Sequence, residues 1–452
     1  MNPLALLCCG IVIVVGSILW LRLHAFLALV LGAYTVALLT PAHALRGYAE
    51  ARVTKGEWTA KTAAKFTDKP AASRVAEEFG RTCANLGILI AMATIIGEAM
   101  LLSGAAEAIA AAMLRWLGAA RAHWAFFATS FVLCIPVMLD TVMYLLAPLF
   151  KAVARRTGRD YLLLVMCTVA GGTITHSLVP PTPGPLFVAG ELGVPLGLMI
   201  GMGSAIGLGA ALTGVAFARW TNRHHSIAVP DEDGPPPDPA RTLPPLWLAL
   251  IPVVLPIALI GLDASLPTAG RLVKTIGDKD MALTLGALAA LAPLAGRSTT
   301  AVKRAIQEGA VILLIIAAGG AFGGALQQTG IAGQLAAHFQ GIHAFALPAV
   351  FLVTTLVRTA QGSATVAMIT AAPIAKALLA GGAPIHPVYF ALAIGCGSKP
   401  FPWMNDAGFW IITRLSGMRE SETLRTVSPM MSIQGVAGLA LTVLAAWVWP
   451  MK

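Results

Sequence analysis

Apolar runs approaching or exceeding about 18 residues recur along the chain, each enough to cross most or all of a hydrocarbon core roughly 30 Å thick. The clearest occupy residues 4–21, 25–39, 86–102, 246–262 and 430–449. Hydrocarbon offers no water to backbone N–H and C=O groups, so a lipid-facing segment must close its hydrogen bonds internally, as a helix. The expected fold is therefore an all-α polytopic membrane protein embedded in the lipid bilayer, with about ten to twelve crossings by run length. Charge agrees with this. Only 12% of residues are charged, about half the share that a water-facing surface carries. A single-span receptor and an anchored enzyme are excluded.

The first apolar run has no basic residue ahead of it and no small-residue cleavage site, so it reads as a retained helix rather than a signal peptide. Cys8, Cys9, Cys83, Cys134, Cys167 and Cys396 lie in or beside apolar stretches without metal-like spacing. Neither a metal nor a cofactor is expected. The net charge of +10 reflects basic loops held on the cytoplasmic side rather than a nucleic-acid partner. Residues 42–81, with eight Lys/Arg against five acids, read as such a loop. The whole is expected in a bacterial inner membrane.

Residues 221–245 read TNRHHSIAVPDEDGPPPDPARTLPP, a polar, Pro-rich connection between two halves. The expected division is N-terminal helices and basic loop (1–80), first repeat (81–220), linker (221–245), linking helices (246–300) and second repeat (301–452). At a constant offset Gly97 meets Gly323, Ser103 meets Thr329 and Gly104 meets Gly330. An apolar stretch with a polar centre follows in each half (131–148 and 357–373), then a helix ending in a Gly/Pro-rich break (171–193 and 395–410). Chance similarity between Ala-, Gly- and Leu-rich segments is the competing reading, but a recurring order favours duplication.

Four prolines lie between positions 180 and 185, and Pro400 and Pro402 interrupt the second half. Proline in a helix interior costs about 3 kcal/mol. At membrane depth such breaks persist only where they line a protein-enclosed polar cavity; the alternative is a turn outside the bilayer. Matched breaks in two halves point to a transporter's binding site. Each half-helix start exposes backbone donors and suits a carboxylate. Gln361, Gly362, Ser363 and Thr365 in the QGSAT turn, Thr182 and Gly184 in PPTPGP, and Thr141, Arg358 and Asn405 are the candidate substrate-binding residues.

Ionisable groups inside apolar segments usually serve substrate or proton. Asp140, His176 and Asp406 are the candidate proton-coupling residues, and Arg358 is a carboxylate partner by geometry. Each has a duller alternative. Asp140 would cap a helix, His176 would be a satisfied core histidine, and Arg358 would snorkel to the interface, as would Lys399. Glu98 is ambiguous, and Glu107 reads better as an interfacial face. Three function classes follow: a proton-coupled carrier, a membrane-embedded enzyme, and a passive channel. The chain has no HExxH or GxSxG motif for an enzyme. Sodium coupling stays open, because unwound carbonyls also coordinate sodium.

HSLVPPTPGP (176–185), RTAQGSATVAMITAA (358–372), NDAGFWIITR (405–414), AFGGALQQTGIA (321–332) and GEAMLLSGAA (97–106) resemble the gluconate permease family, gluconate:proton symporters of the ion-transporter superfamily. The similarity runs from about residue 79 to 446. The resemblance implies proton-driven symport of gluconate, a related hydroxy acid or D-serine. It also implies two inverted repeats, each with a re-entrant hairpin and a broken helix, hairpin tips near 135–141 and 361–365, and an elevator-like movement. A homodimer stays open. The chain departs from the family in carrying Thr182 and Trp403 where histidines are usual, and Asp140 near a family glutamate. On these changes a smaller or less hydroxylated acid fits as well as gluconate.

Overall fold

The computed structural model describes residues 2–54, 56–230, 243–265, 270–294, 296–331, 345–404 and 406–451. Much of the expected linker (231–242), the stretch 332–344 and Asn405 lie outside the described residues. Every regular element among the described residues is helical. An N-terminal pair, α1 (Pro3–Leu19) and α2 (Ala25–Leu39), leads into α3 (Ala42–Thr54) and α4 (Ala60–Thr67). Next come the long α5 (Ala71–Leu102), α6 (Ala105–Leu117), the hairpin α7 (Ala122–Leu133) and α8 (Leu139–Thr157), the broken helix α9 (Tyr161–Leu178) and α10 (Pro183–Leu192), and α11 (Leu196–His224).

The same succession then returns. A leading set, α12 (Leu246–Ser265), α13 (Arg271–Gly277) and α14 (Lys279–Leu291), precedes the long α15 (Ser298–Gln327). A hairpin follows, α16 (Ala346–Gln361) and α17 (Ala364–Ala380), then a broken helix, α18 (Pro387–Gly397) and α19 (Ala407–Ser416), and finally α20 (Glu420–Val448).

The glycines paired by sequence offset have one structural job. Gly104 and Gly330, at φ 77° and 76°, turn the chain out of α5 and α15 in a left-handed conformation that costs glycine least. Ser103 and Thr329 each return their hydroxyl to a carbonyl three residues back, at Met100 and Leu326.

The two repeats are inverted, and the contacts between equivalent helices prove it. Along α5 and α15, Arg74 Nε donates to Gln328 Oε1 at 3.1 Å while Glu98 pairs with Arg304 at 3.5 Å, so the two run antiparallel. Along α11 and α20, Gly209 lies against Leu441 and Gly214 against Gln434. The broken helices repeat the pattern. Tyr161 Oη, at the start of α9, donates to the Ser416 carbonyl at 2.8 Å, and Ser398 Oγ donates to Ser177 Oγ at 3.1 Å where the breaks cross. Helix α10 then packs on α18, α17 packs on α10, and α8 packs on α19. Helix pairs α1–α2 and α12–α14 flank α15 and α5 in the same equivalent way.

Two expectations need correction. Residues 42–81 are not a loop: they form α3, α4 and the start of α5, with α3 bent 98° from α2. Tyr48, Trp58 and Phe66 pack on one another there, with the Arg52 guanidinium over the first two rings. An apolar face on two short helices was masked in the sequence by their many lysines and arginines. Secondly, the described residues hold six helices long and apolar enough to cross a membrane alone: α5, the α9–α10 pair, α11, α12, α15 and α20. A seventh is added if the bent α2–α3 pair is one span, so there are fewer full-length spans than the ten to twelve that apolar runs suggest. Shorter apolar helices such as α16, α17 and α18 account for much of the difference, because turns and prolines divide those runs into half-helices.

Candidate functional site

Four helices begin at the breaks and hairpin tips, and three of those starts open into one cavity of about 290 Å³. Met138, Leu139 and Asp140 bring the start of α8. Gly362, Ser363, Ala364 and Thr365 bring the start of α17, with the Ser363 hydroxyl accepting from Val366 N at 3.3 Å. Asp406, Ala407 and Gly408 bring the start of α19, and Asp406 Oδ1 accepts from Gly408 N at 2.8 Å. Thr173 and His176 on α9, Arg358 and Gln361 on α16, and Lys399 and Pro402 in the second break line the same space. Val427 and Met431 of α20 supply apolar wall.

The breaks meet closely because small residues let the backbones approach. Gly395 on α18 faces the Ser177 carbonyl, and a Cβ there would lie 2.5 Å from that oxygen. The approach lets Lys399, 2% exposed, reach across and donate to the Thr173 carbonyl at 2.6 Å.

Arg358 is also 2% exposed and its guanidinium is committed. Nε donates to the Ser398 carbonyl at 3.1 Å, Nη1 to the Gly362 carbonyl, and Nη2 to Asp406 Oδ2. The alternative reading, a side chain snorkelling to the interface, is not met. One planar fork instead ties the tip of the second hairpin to the second break. Asp140 is half-buried at the cavity wall and has no ion-pair partner among the described residues. His176 Nδ1 is buried there without a hydrogen-bond partner among the described residues.

Asp140, His176, Arg358, Gln361, Gly362, Ser363, Thr365 and Asp406 thus share one cavity. Thr141 and Thr182 do not line it. They face a neighbouring small pocket of about 30 Å³ with Glu98, Glu308 and Met138. The Thr182 hydroxyl donates to the Val179 carbonyl at 2.6 Å rather than towards a ligand. Gly184 packs beneath the second hairpin, against Met368 and Thr365. Asn405 lies outside the described residues. Trp403, which stands where the family usually has a histidine, does not line the cavity; its indole donates to the Thr359 carbonyl at 2.8 Å. Lys399, which the sequence left between a site role and the interface, lines the cavity; its signal was its place in the second break, which also holds Asp406.

Over residues 67–448 the chain matches the description of the GntP family permease. It belongs to that family. The permease is 32% identical to the gluconate permease of Pseudomonas aeruginosa, over 82% of this chain and 86% of that protein. It is 30% identical to the D-serine transporter DsdX of Escherichia coli K12, over 82% and 86% of the two chains. In fold it is similar to the Alcanivorax borkumensis YdaH transporter, whose crystal structure shows an unusual topology. There the TM-score is 0.60 at 14% identity, covering 83% of this chain and 88% of that one. This permease is accordingly a multi-pass transporter of the bacterial inner membrane and not an enzyme.

Proposed function

We propose that this permease takes up a small hydroxylated monocarboxylate by symport with protons. The observation that carries the reading is the convergence of the α8, α17 and α19 starts on one cavity that also holds Lys399. Beyond the N–H groups that Ser363 and Asp406 cap, each helix start leaves backbone donors and roughly half a positive charge, which together with an ammonium suits one carboxylate. Gln361, Ser363 and Thr365 supply polar groups for substrate hydroxyls. Asp140, without an ion-pair partner among the described residues, carries the proton. Arg358 and Asp406 hold the hairpin tip in register rather than taking the substrate directly. Gluconate and D-serine, named for the relatives, mark the class of ligand.

Inverted repeats support alternating access in which the hairpins and broken helices shift as a body against α5 and α15. The test is uptake into proteoliposomes of the purified full chain with an imposed pH gradient, using labelled gluconate and D-glycerate. Accumulation above equilibrium that a protonophore collapses is expected. Accumulation indifferent to the protonophore would refute proton drive, and no saturable uptake of either acid would refute the substrate class.

A further inference from the structure

The charged groups lining the cavity among the described residues can be counted: Asp140 on α8, His176 on α9, Arg358 on α16, Lys399 in the second break and Asp406 capping α19. Arg358 and Asp406 are paired and cancel. His176 is counted as a neutral imidazole. That leaves one cation, Lys399, against one carboxylate, Asp140. We infer that Asp140 is a charge selector that takes either a proton or the ammonium group of a zwitterion, so the cavity admits two substrate classes with different proton requirements. This rests on the reading of the cavity as a carboxylate site.

The physical reason is the cost of an uncompensated charge beside an ammonium, Lys399, that is itself 2% exposed and poorly reached by water. A monoanion added while Asp140 is ionised leaves the cavity with two anions against one cation. With a proton on Asp140, the same monoanion balances Lys399. An α-amino acid brings both signs. Its carboxylate balances Lys399 and its ammonium balances the ionised Asp140, so no proton is needed there. In the first case the proton and the substrate bind as a pair, and each strengthens the other's binding to the same degree.

D-Glycerate and D-serine separate the two cases, because they differ only in a hydroxyl or an ammonium at C2. The measurement is ligand-induced thermal stabilisation of the detergent-solubilised full chain, read as affinity from mildly acidic to mildly alkaline pH. For wild type, D-glycerate affinity should fall about tenfold per pH unit above the Asp140 transition, as one linked proton requires. Loss of the Lys399 proton would weaken both carboxylates alike, so the D-serine to D-glycerate affinity ratio should rise about tenfold per pH unit over the same range. In Asp140→Asn the D-glycerate pH slope should vanish, and the affinity ratio of D-serine to D-glycerate should fall tenfold or more. Equal pH slopes for the two ligands in wild type, or a D-serine preference untouched in the variant, overturn the inference while leaving a carboxylate site. Absence of stabilisation by either ligand at any pH overturns the carboxylate site and the inference with it. The wild-type comparison needs no variant, so a misfolded Asp140→Asn does not spoil the test.

Discussion

Arg358, in the last turn of α16, forms an ion pair with Asp406, which caps α19. The same guanidinium holds the Gly362 and Ser398 carbonyls, so one side chain joins a hairpin tip to a helix break. Arg358→Ala would strand a largely buried carboxylate, at a cost of about 3–5 kcal/mol. Arg358→Lys cannot reach three acceptors in one plane and should rescue little. Unfolding in detergent and substrate uptake measure both effects. A well-folded, transport-competent Arg358→Ala would show that the clamp is dispensable.

At the crossing of the breaks, Gly395→Ala would push a methyl against the Ser177 carbonyl, a backbone atom that cannot rotate away. Overpacking of this kind costs roughly 1–3 kcal/mol. A lower melting temperature together with weaker substrate binding is expected, because Lys399 and Thr173 would separate. Unchanged stability would mean that the breaks have more room than these contacts indicate.

Replacing Lys399 by Gln keeps a donor for the Thr173 carbonyl but removes the ammonium that, among the described residues, lines the cavity without an ion-pair partner. Half-saturation of organic-acid uptake should rise tenfold or more, equivalent to about 1.4 kcal/mol. If half-saturation stayed within twofold of wild type, the carboxylate would have to be seated by the helix starts alone.

Glu191 on α10 accepts from Gln327 Nε2 on α15 and from Lys376 Nζ on α17, each at 3.1 Å. The first of these bonds joins the proposed moving body to its frame. A Glu191→Cys/Gln327→Cys pair, in a background with Cys8, Cys9 and Cys83 replaced, should stop uptake on oxidation and recover on reduction. Uptake that continued in the cross-linked protein would argue against sliding of α10 past α15.

Helices, breaks and their duplication were legible in the sequence because their causes are local. Apolar runs of this length require helix in hydrocarbon, and proline interrupts a helix wherever it occurs. The left-handed turns of Gly104 and Gly330 likewise follow from glycine's own freedom. The small helices at 42–67 were missed because charge concealed their shared aromatic face.

Which polar groups share the cavity was decided only by tertiary packing. Thr182 and Thr141 sat in the right motifs, yet the fold turns them into a neighbouring pocket. Arg358 looked free to bind a carboxylate, but Asp406, 48 residues on, occupies it. Lys399 gained its place from a carbonyl 226 positions earlier in the chain. Such pairings depend on two antiparallel repeats meeting at their breaks. A side chain's nearest charge is then set by backbone approach between distant segments, which no local preference encodes.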